Sequence, residues 1–334
     1  MQRGRPDLSV RSVADVGEAG LLEIVKERFG NGSDHGEVWA GDDAAVLATG
    51  ERSLLTTDVL VEGIDFDLAY GSGRDVGWKS LAVNISDIAA MGGRPTRAVV
   101  TLALPPTTVL GVVDSFLDGL VEGAARWDVG IVGGDISGAA QMSVSVAMLG
   151  TVDGDPVLRS GARPGDAICV TGSLGGAAGG LFALQGGVTG SSPRIDELVG
   201  RQLRPEPRVV EGAQLKRLGA TSMIDVSDGL GLDLTRLMTA SGTGCAIETA
   251  MLPVDPNLGA LEGGPDGVEL ALGGGEDLEL LCTIDASRLD VAMEALAPPL
   301  AGFTRIGDVT EDGLMLDGVA MKGEELGWDH LRSR

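Results

Sequence analysis

Apolar and polar positions along this chain follow two rhythms, and the rhythm changes at glycine, proline and acidic turns. Leu21, Leu22, Val25 and Phe29 recur at helical spacing and predict an opening helix. Ser53–Thr57 reads as a strand running into Asp58. From Val76 to Met91 the pattern is helical, with Leu81, Ile85 and Ile88 on the core side at i, i+4 and i+7. Asn84 and Asp87, three apart, share a different face. Gly92-Gly93 stops that helix, with Pro95 just beyond. Arg97–Leu104 predicts a strand, Val112–Arg126 a helix, and Gly130–Val132 a short strand ending at Asp135. Val144, Val146 and Met148 alternate with Ser143, Ser145 and Ala147, the mark of a half-buried strand.

Glycine, proline and charge gather over Asp153–Asp166, which predicts an N-terminal domain over residues 1–152 and a C-terminal one over 153–334. Beyond that boundary the pattern predicts a strand at Ala167–Thr171, a helix near Ala177–Gln185 and a loop over Gly186–Pro193. A helix at Val209–Leu218 follows, then a strand at Ser222–Ile224 leading to Asp225. Leu230, Leu234 and Leu237 mark a further helix, and Leu278–Ile284 a further strand. Strands and helices alternate in both parts, so the fold class is α/β (α+β). There is no clean internal repeat.

At 334 residues the chain is long for a single core, in keeping with two domains. Its net charge of −24 argues against nucleic acid and anionic lipid as partners, and it would repel a polyphosphate unless cations intervene. Most of the surface acids read simply as a solubility feature. Cys169, Cys245 and Cys282 are dispersed in apolar segments, which suggests buried thiols in a reducing compartment. Met1–Lys26 alternates charges without an apolar h-region, and the uncharged stretches Ile136–Val152 and Gly172–Pro193 are broken by Gly, Ser, Gln or Pro. The expectation is a cytoplasmic protein with no membrane span.

Six acidic patches remain: Gly41-Asp42-Asp43, Thr56-Thr57-Asp58, Asn84-Ile85-Ser86-Asp87, Gly133-Gly134-Asp135, Asp225-Val226-Ser227-Asp228 and Gly274-Gly275-Glu276-Asp277. Singly, each reads as a turn or a cap, because Asp bonds its own backbone there; Ser227 or Asp228 would make an ordinary N-cap. Together they offer oxygen-only donors, which suit Mg²⁺, a cation that usually arrives with phosphates. Gly133 and Gly134 leave the backbone bare, as close approach to a phosphate requires. The chain has no P-loop run and no Gly-x-Gly-x-x-Gly, and His35 and His330 are its only histidines, both read as plain surface residues. Zinc hydrolysis and Ser-His-Asp chemistry lose their support.

In this order the motifs Gly-Asp-Asp-Ala-Ala-Val, Thr-Thr-Asp-Val-Leu-Val-Glu-Gly, Lys-Ser-Leu-Ala-Val-Asn-Ile-Ser-Asp, Gly-Gly-Asp, Arg-Ser-Gly-Ala-Arg-Pro-Gly-Asp, Ile-Asp-Val-Ser-Asp-Gly-Leu and Gly-Gly-Glu-Asp resemble those of the thiamine-monophosphate kinase family. That family belongs with the aminoimidazole ribonucleotide and selenophosphate synthetases. The resemblance runs from Gly17-Glu18 to Trp328. It implies an N-terminal domain whose mixed sheet pairs with a second copy in a dimer barrel, and a sandwich-like C-terminal α/β domain. It also implies ATP-dependent phosphorylation of thiamine monophosphate to thiamine diphosphate by a homodimer. By motif, Asp43, Thr56, Thr57, Asp58, Asp87, Asp135, Asp225 and Asp228 would be Mg²⁺ ligands. Gly134, Asp135, Arg159 and Ser227 would contact ATP, and Glu276 and Trp328 would hold the thiamine moiety, the indole by stacking. Among these, Asp58, Asp135, Arg159 and Asp228 would serve the transfer itself.

One position departs from the pattern. Asp65 stands where many members have His. An acid there would pair with the substrate's cationic ring or its pyrimidine amine, or face water. The acceptor, a phosphate monoester with a second pKa of about 6, is already anionic at neutral pH and needs no general base. Direct in-line transfer without a phosphoenzyme follows, with Mg²⁺ screening the two anions and Arg159 orienting the triphosphate. The alternatives are another ATP-dependent synthetase of the superfamily, or a non-catalytic acidic protein that binds divalent metal. The chain lacks the reactive N-terminal Cys of selenophosphate synthetases and the Cys tail of hydrogenase-maturation relatives.

Overall fold

The computed structural model describes residues 45–48, 52–188, 190–320 and 327. The predicted opening helix, Asp42, Asp43, both histidines and Trp328 lie outside the described residues. In the first half the chain runs through β1 (Ala45–Ala48), β2 (Arg52–Val61), α1 (Gly73–Ala90), β3 (Arg94–Leu104), α2 (Leu110–Trp127), β4 (Gly130–Gly138) and β5 (Ser143–Thr151). These strands form one sheet in the order β1-β2-β5-β3-β4. Only β3 and β4 run parallel, joined through α2. Leu54, Leu60, Val100, Leu102, Val146 and Met148 alternate onto its inner face and pack with Leu81, Ile85 and Ile88 of α1 and Phe116 and Leu120 of α2. The outer face carries Leu55, Val59, Val99 and Leu149, all exposed.

The second half comprises β6 (Asp166–Thr171), α3 (Gly176–Phe182), α4 (Pro193–Leu203), α5 (Val209–Leu218), β7 (Ala220–Val226), α6 (Leu230–Ser241), β8 (Gly244–Ile247), α7 (Gly267–Gly273), β9 (Glu279–Asp285), α8 (Leu289–Ala295), β10 (Phe303–Thr310), β11 (Leu314–Leu316) and β12 (Val319–Ala320). Its seven strands pair in the order β12-β11-β8-β10-β6-β9-β7. Ile168, Val170, Ile224 and Leu281 belong to one apolar cluster, and Cys169, Met223, Leu280 and Cys282 to another, so the two faces of the sheet have separate cores. The fold is therefore α/β with two mixed sheets, as the alternating pattern implies.

Helix α1 holds the halves together. Fourteen of its eighteen residues are buried, because it packs on α2, on the first sheet, and on α5 and β7 of the second half. Its approach to α2 is close enough to require glycine: a Cβ on Gly77 would lie 2.2 Å from the Phe116 carbonyl oxygen. Ser72 and Asp75 close a reciprocal capping box at its start.

Several boundaries differ from the sequence reading. β2 continues through Asp58, which is paired opposite Val146, and β4 continues through Asp135, opposite Thr101. Both acids lie within strands, where neighbouring backbone carries the ladder past them, and not at strand ends. The helix read near Ala177–Gln185 stops at Phe182 and gives way to a π turn over Ala183–Gly187. The loop read over Gly186–Pro193 closes on α4, whose Ser192 N-cap accepts from Ile195 N–H. Among the described residues no helix is long and apolar enough to cross a membrane.

Candidate active site

The C-terminal half of α1 presents two adjacent oxygen-bearing side chains to different neighbours. Ser86 Oγ donates to Asp225 Oδ2 of β7 at 2.6 Å. Asp87 Oδ2 accepts a hydrogen bond from Thr56 Oγ1 of β2. One turn of helix thus ties a carboxylate of the second sheet to a hydroxyl of the first. Ser86 and Asp225 are almost fully buried. Asp58, two residues from Thr56 on the same strand, lies on the same inner face.

β7 leads directly into the Ser227-Asp228-Gly229 turn. Neither Ser227 nor Asp228 caps the following helix; the N-cap position of α6 is Gly229, at φ +108°. The direction of capping is reversed: Asp233, in the first turn of α6, accepts from both Ser227 N–H and Asp228 N–H at 3.0 Å. Arg236 pairs with Asp228 and, at 2.8 Å, with Asp233. Burial, with Asp228 close by, pushes the Asp233 carboxyl up to about 7, against the pull of Arg236, the Asp228 N–H and Arg159.

That turn is stitched to the Gly274–Leu278 segment. Glu276 N–H donates to Ser227 O at 2.7 Å and Leu278 N–H to Val226 O at 3.0 Å. Gly275 is required there, since a Cβ would lie 2.5 Å from Ser227 O. Glu276 sits in the left-handed region at φ +70°, a conformation that costs energy in a non-glycine residue. Its carboxylate takes one donor on each oxygen: Lys79 Nζ at 2.6 Å and Gln202 Nε2 at 2.6 Å. Lys79, only 3% exposed, also donates to the Asp65 carbonyl at 2.9 Å. The Asp65 carboxylate accepts from Val61 N–H at 2.7 Å, closing its own turn.

The last acid of this segment is structural. Asp277 accepts from Gly175 N–H at 2.6 Å and Ala177 N–H at 3.0 Å, at the start of α3. Burial raises its carboxyl to about 7, while those two donors act in the opposite direction. Two residues on, fully buried Glu279 accepts from Thr171 Oγ1 and, through both oxygens, from Arg208.

The strand registers divide the predicted ligands. Asp58, Val146, Val100 and Gly134 lie in one row across the first sheet. Three strand spacings separate its ends, about 14 Å. Thr57 lies on the exposed outer face with Leu55 and Val59, and its hydroxyl donates to Val146 O. Asp135, in the row of Thr101, Ser145 and Val59, shares that outer face. Gly134 is bare for a reason unlike the one read from sequence: a Cβ would lie 1.9 Å from the Val100 carbonyl oxygen, so the glycine admits β4 to β3. Among the described residues no three His, Cys, Asp or Glu side chains gather as a metal group.

Lys79, Gln202 and Asp233 escaped the sequence reading. Lys79 carried a usable signal, the one charge in the run Val76–Val83. Gln202 and Asp233 carried none, because their importance comes from partners remote in sequence or across a turn.

Two domain families match the chain: AIR synthase related protein, N-terminal domain, over residues 41–152, and its C-terminal domain over residues 163–316. The thiamine-monophosphate kinase of Bacillus subtilis is 36% identical over 307 residues, covering 89% of this chain and 94% of that protein. That of Escherichia coli K12 is 37% identical over 326 residues, covering 94% and 98%. A solved structure described as AaThiL complexed with AMPPCP and TMP superposes with a TM-score of 0.86 at 34% identity, covering 96% of this chain and 99% of that one. The hydrogenase maturation protein HypE in complex with ATP shares the fold at a TM-score of 0.67 and 20% identity, covering 82% and 84%.

Proposed function

Because the chain belongs to the thiamine-monophosphate kinase family, we propose that it transfers the γ-phosphoryl group of ATP to thiamine monophosphate, yielding thiamine diphosphate and ADP. The observation that carries this reading is the span of α1. Near its start Lys79 holds Glu276, and seven residues later Ser86 and Asp87 hold Asp225 and Thr56. At a helical rise of 1.5 Å the two ends are about 10 Å apart, a distance that an elongated substrate with an aromatic head and a phosphate tail can bridge. Glu276 and Trp328 take the thiamine end in this reading. The carboxylates take the phosphates, with Arg159 and Ser227 on ATP.

The donor set fits Mg²⁺. Thr56, Asp58, Asp87, Asp225 and Asp228 offer only oxygen, and Mg²⁺ commonly uses one or two carboxylates and completes its shell with phosphate and water. A preformed cage of three acids is not needed. Bound with the nucleotide, several Mg²⁺ ions would neutralise phosphate charge so that two anions can meet. Asp43 belongs to the same proposed ligand set. The acceptor oxygen is already ionised, so the side chains have only to align it in line with the γ-phosphorus. Asp65 binds its own turn, and its part in the site is to seat Lys79 through its carbonyl.

Thr57 and Asp135 enter through a homodimer in this reading, while Gly134 stays a proposed ATP contact on the row of Asp58. The exposed outer face, with Leu55, Val59, Val99 and Leu149, offers the apolar surface for pairing sheets with a second copy. Thr57 and Asp135 lie on that face, so their place in nucleotide or metal binding depends on the partner. Residues 1–152 would form the pairing domain and 153–334 the domain that completes the site. Three buried free thiols suit a cytoplasmic setting.

The test offers ATP and Mg²⁺ with thiamine monophosphate, thiamine or formylglycinamidine ribonucleotide in parallel. ADP release accompanied by thiamine diphosphate in the first mixture alone is the expected result. No turnover there, or full activity after Asp58→Ala together with Asp135→Ala, would sink the proposal.

A further inference from the structure

Beside the Lys79–Glu276 pair sits an acceptor with nothing to accept. Gln202 of α4 is only 4% exposed, and among the described residues its Oε1 has no hydrogen-bond partner. The orientation of the amide is fixed by chemistry. The Glu276 carboxylate can only accept, so the amide nitrogen, 2.6 Å away, faces it and the oxygen faces elsewhere. A buried polar atom left unpaired is rare in a native protein and calls for a partner.

Charge defines that partner further. Glu276 is not a free anion: Lys79 Nζ lies 2.6 Å from its Oε1 and is itself almost fully buried. The pair is matched, and a cationic ring brought against it would meet the Lys79 charge as well as that of Glu276. A neutral group rich in N–H donors would meet no such opposition. It would satisfy the Gln202 oxygen, beside a carboxylate whose remaining lone pairs can take a second N–H.

Resting on the reading of this cleft as the thiamine site, we infer that Gln202 is a specificity-determining residue that accepts a hydrogen bond from the exocyclic amine of the substrate's aminopyrimidine. Its own amide N–H stays on Glu276, so the head of the pocket reads a neutral donor group, and the thiazolium charge lies elsewhere along the cleft. A substrate with an oxygen in place of that amine sets acceptor against acceptor. A site built on hydrogen bonds rejects such an analogue because its buried groups are left unpaired.

The experiment measures kcat/KM of the full chain for thiamine monophosphate and for its 4-oxo analogue, oxythiamine monophosphate, in the wild type and in Gln202→Met. The wild type should prefer the amine by roughly 10- to 100-fold. Gln202→Met keeps the volume and removes the acceptor. It should lower kcat/KM for the amine about tenfold, mainly through KM, and leave the oxo analogue within about twofold, so the preference collapses. The KM for ATP should stay the same, and retained turnover of the oxo analogue shows that the variant is folded. The wild-type comparison stands without any variant: equal use of the two substrates overturns the inference and leaves the kinase reading intact. An equal loss on both substrates in Gln202→Met overturns it too. Failure of the wild type to phosphorylate thiamine monophosphate at all overturns the kinase reading, and the inference with it.

Discussion

Replacing Arg208 by Met should remove a large part of the stability of the second half of the molecule. Its guanidinium meets fully buried Glu279 with Nε and Nη2 at 2.7 and 2.5 Å, and Thr171 Oγ1 adds a third donor at 2.7 Å. Burial works against the Arg208 charge, but Glu279 beside it more than offsets this and raises its pKa. The variant leaves the Glu279 carboxyl dry, without its cation and held by one hydroxyl. It cannot swing aside on the β6 side, where a Cβ on Gly172 would already lie 2.0 Å from its Oε1. Two hydrogen bonds to a charged group contribute about 1.5–3 kcal/mol each, and breaking a buried pair from one side costs about 3–5 kcal/mol. The two estimates meet at about 4 kcal/mol, against total stabilities of about 5–15 kcal/mol. Urea unfolding followed by tryptophan fluorescence reads the loss as a midpoint shift at constant slope. The double variant Arg208→Met/Glu279→Leu should recover most of it, because an apolar pair fills the space without a stranded charge. A loss below about 1 kcal/mol in the single variant, or no recovery in the double, would refute the reasoning.

Further outcomes follow from other parts of the molecule. Gly77→Ala should destabilise by at least about 1–3 kcal/mol, because the new Cβ meets α2 backbone at 2.2 Å; a neutral result in thermal unfolding would contradict the α1–α2 packing. Asp277, raised to about 7 by burial, holds its proton in the folded chain where the unfolded chain has lost it. Its contribution is complete below about pH 4 and is lost as pH rises towards 7, with a slope of at most about 1.4 kcal/mol per unit; Asp277→Asn should abolish that part of the slope in unfolding curves measured from pH 5 to 8. Val59→Glu together with Leu149→Glu should turn a dimer into a monomer in sedimentation equilibrium while leaving the far-ultraviolet spectrum unchanged; an unaltered mass would remove the outer face as the pairing surface. Chelating divalent cations should abolish ADP release, and added Mg²⁺ should restore it.

Periodic segments were legible in the sequence. The spacing of Leu81, Ile85 and Ile88 located α1 within a few residues, and the alternation from Ser143 to Met148 located β5, because in both the apolar period reports a single buried face. β10 was not legible: Phe303–Thr310 carries Arg305, Gly307 and Asp308, and a register shift between Arg305 and Gly307 breaks the alternation. α4 was missed although legible: Ser192 before Pro193, with Asp196 in the first turn, is a helix-start pattern ahead of an amphipathic run. For the site, the motifs located the carboxylates but not their faces. Register put Asp58 inside and Thr57 and Asp135 outside, and that is decided by pairing across β5 and β3. The acid row Gly274–Asp277 also split: Glu276 meets Lys79 and Gln202 while Asp277 binds the backbone of α3, a distinction that depends on positive φ at Glu276 and contacts about a hundred residues away in sequence.

The account stands or falls on α1 bridging two ends of one site. A crystal of the protein with thiamine monophosphate, a non-hydrolysable ATP analogue and Mn²⁺ in place of Mg²⁺ gives anomalous peaks that locate the metal without assumption. The account predicts peaks within coordination distance of Asp87 and Asp225, with Asp58 or Asp228 nearby, and the aminopyrimidine against Glu276 and Gln202. Metal peaks away from the C-terminal half of α1, or a substrate ring remote from Lys79 and Glu276, would contradict it.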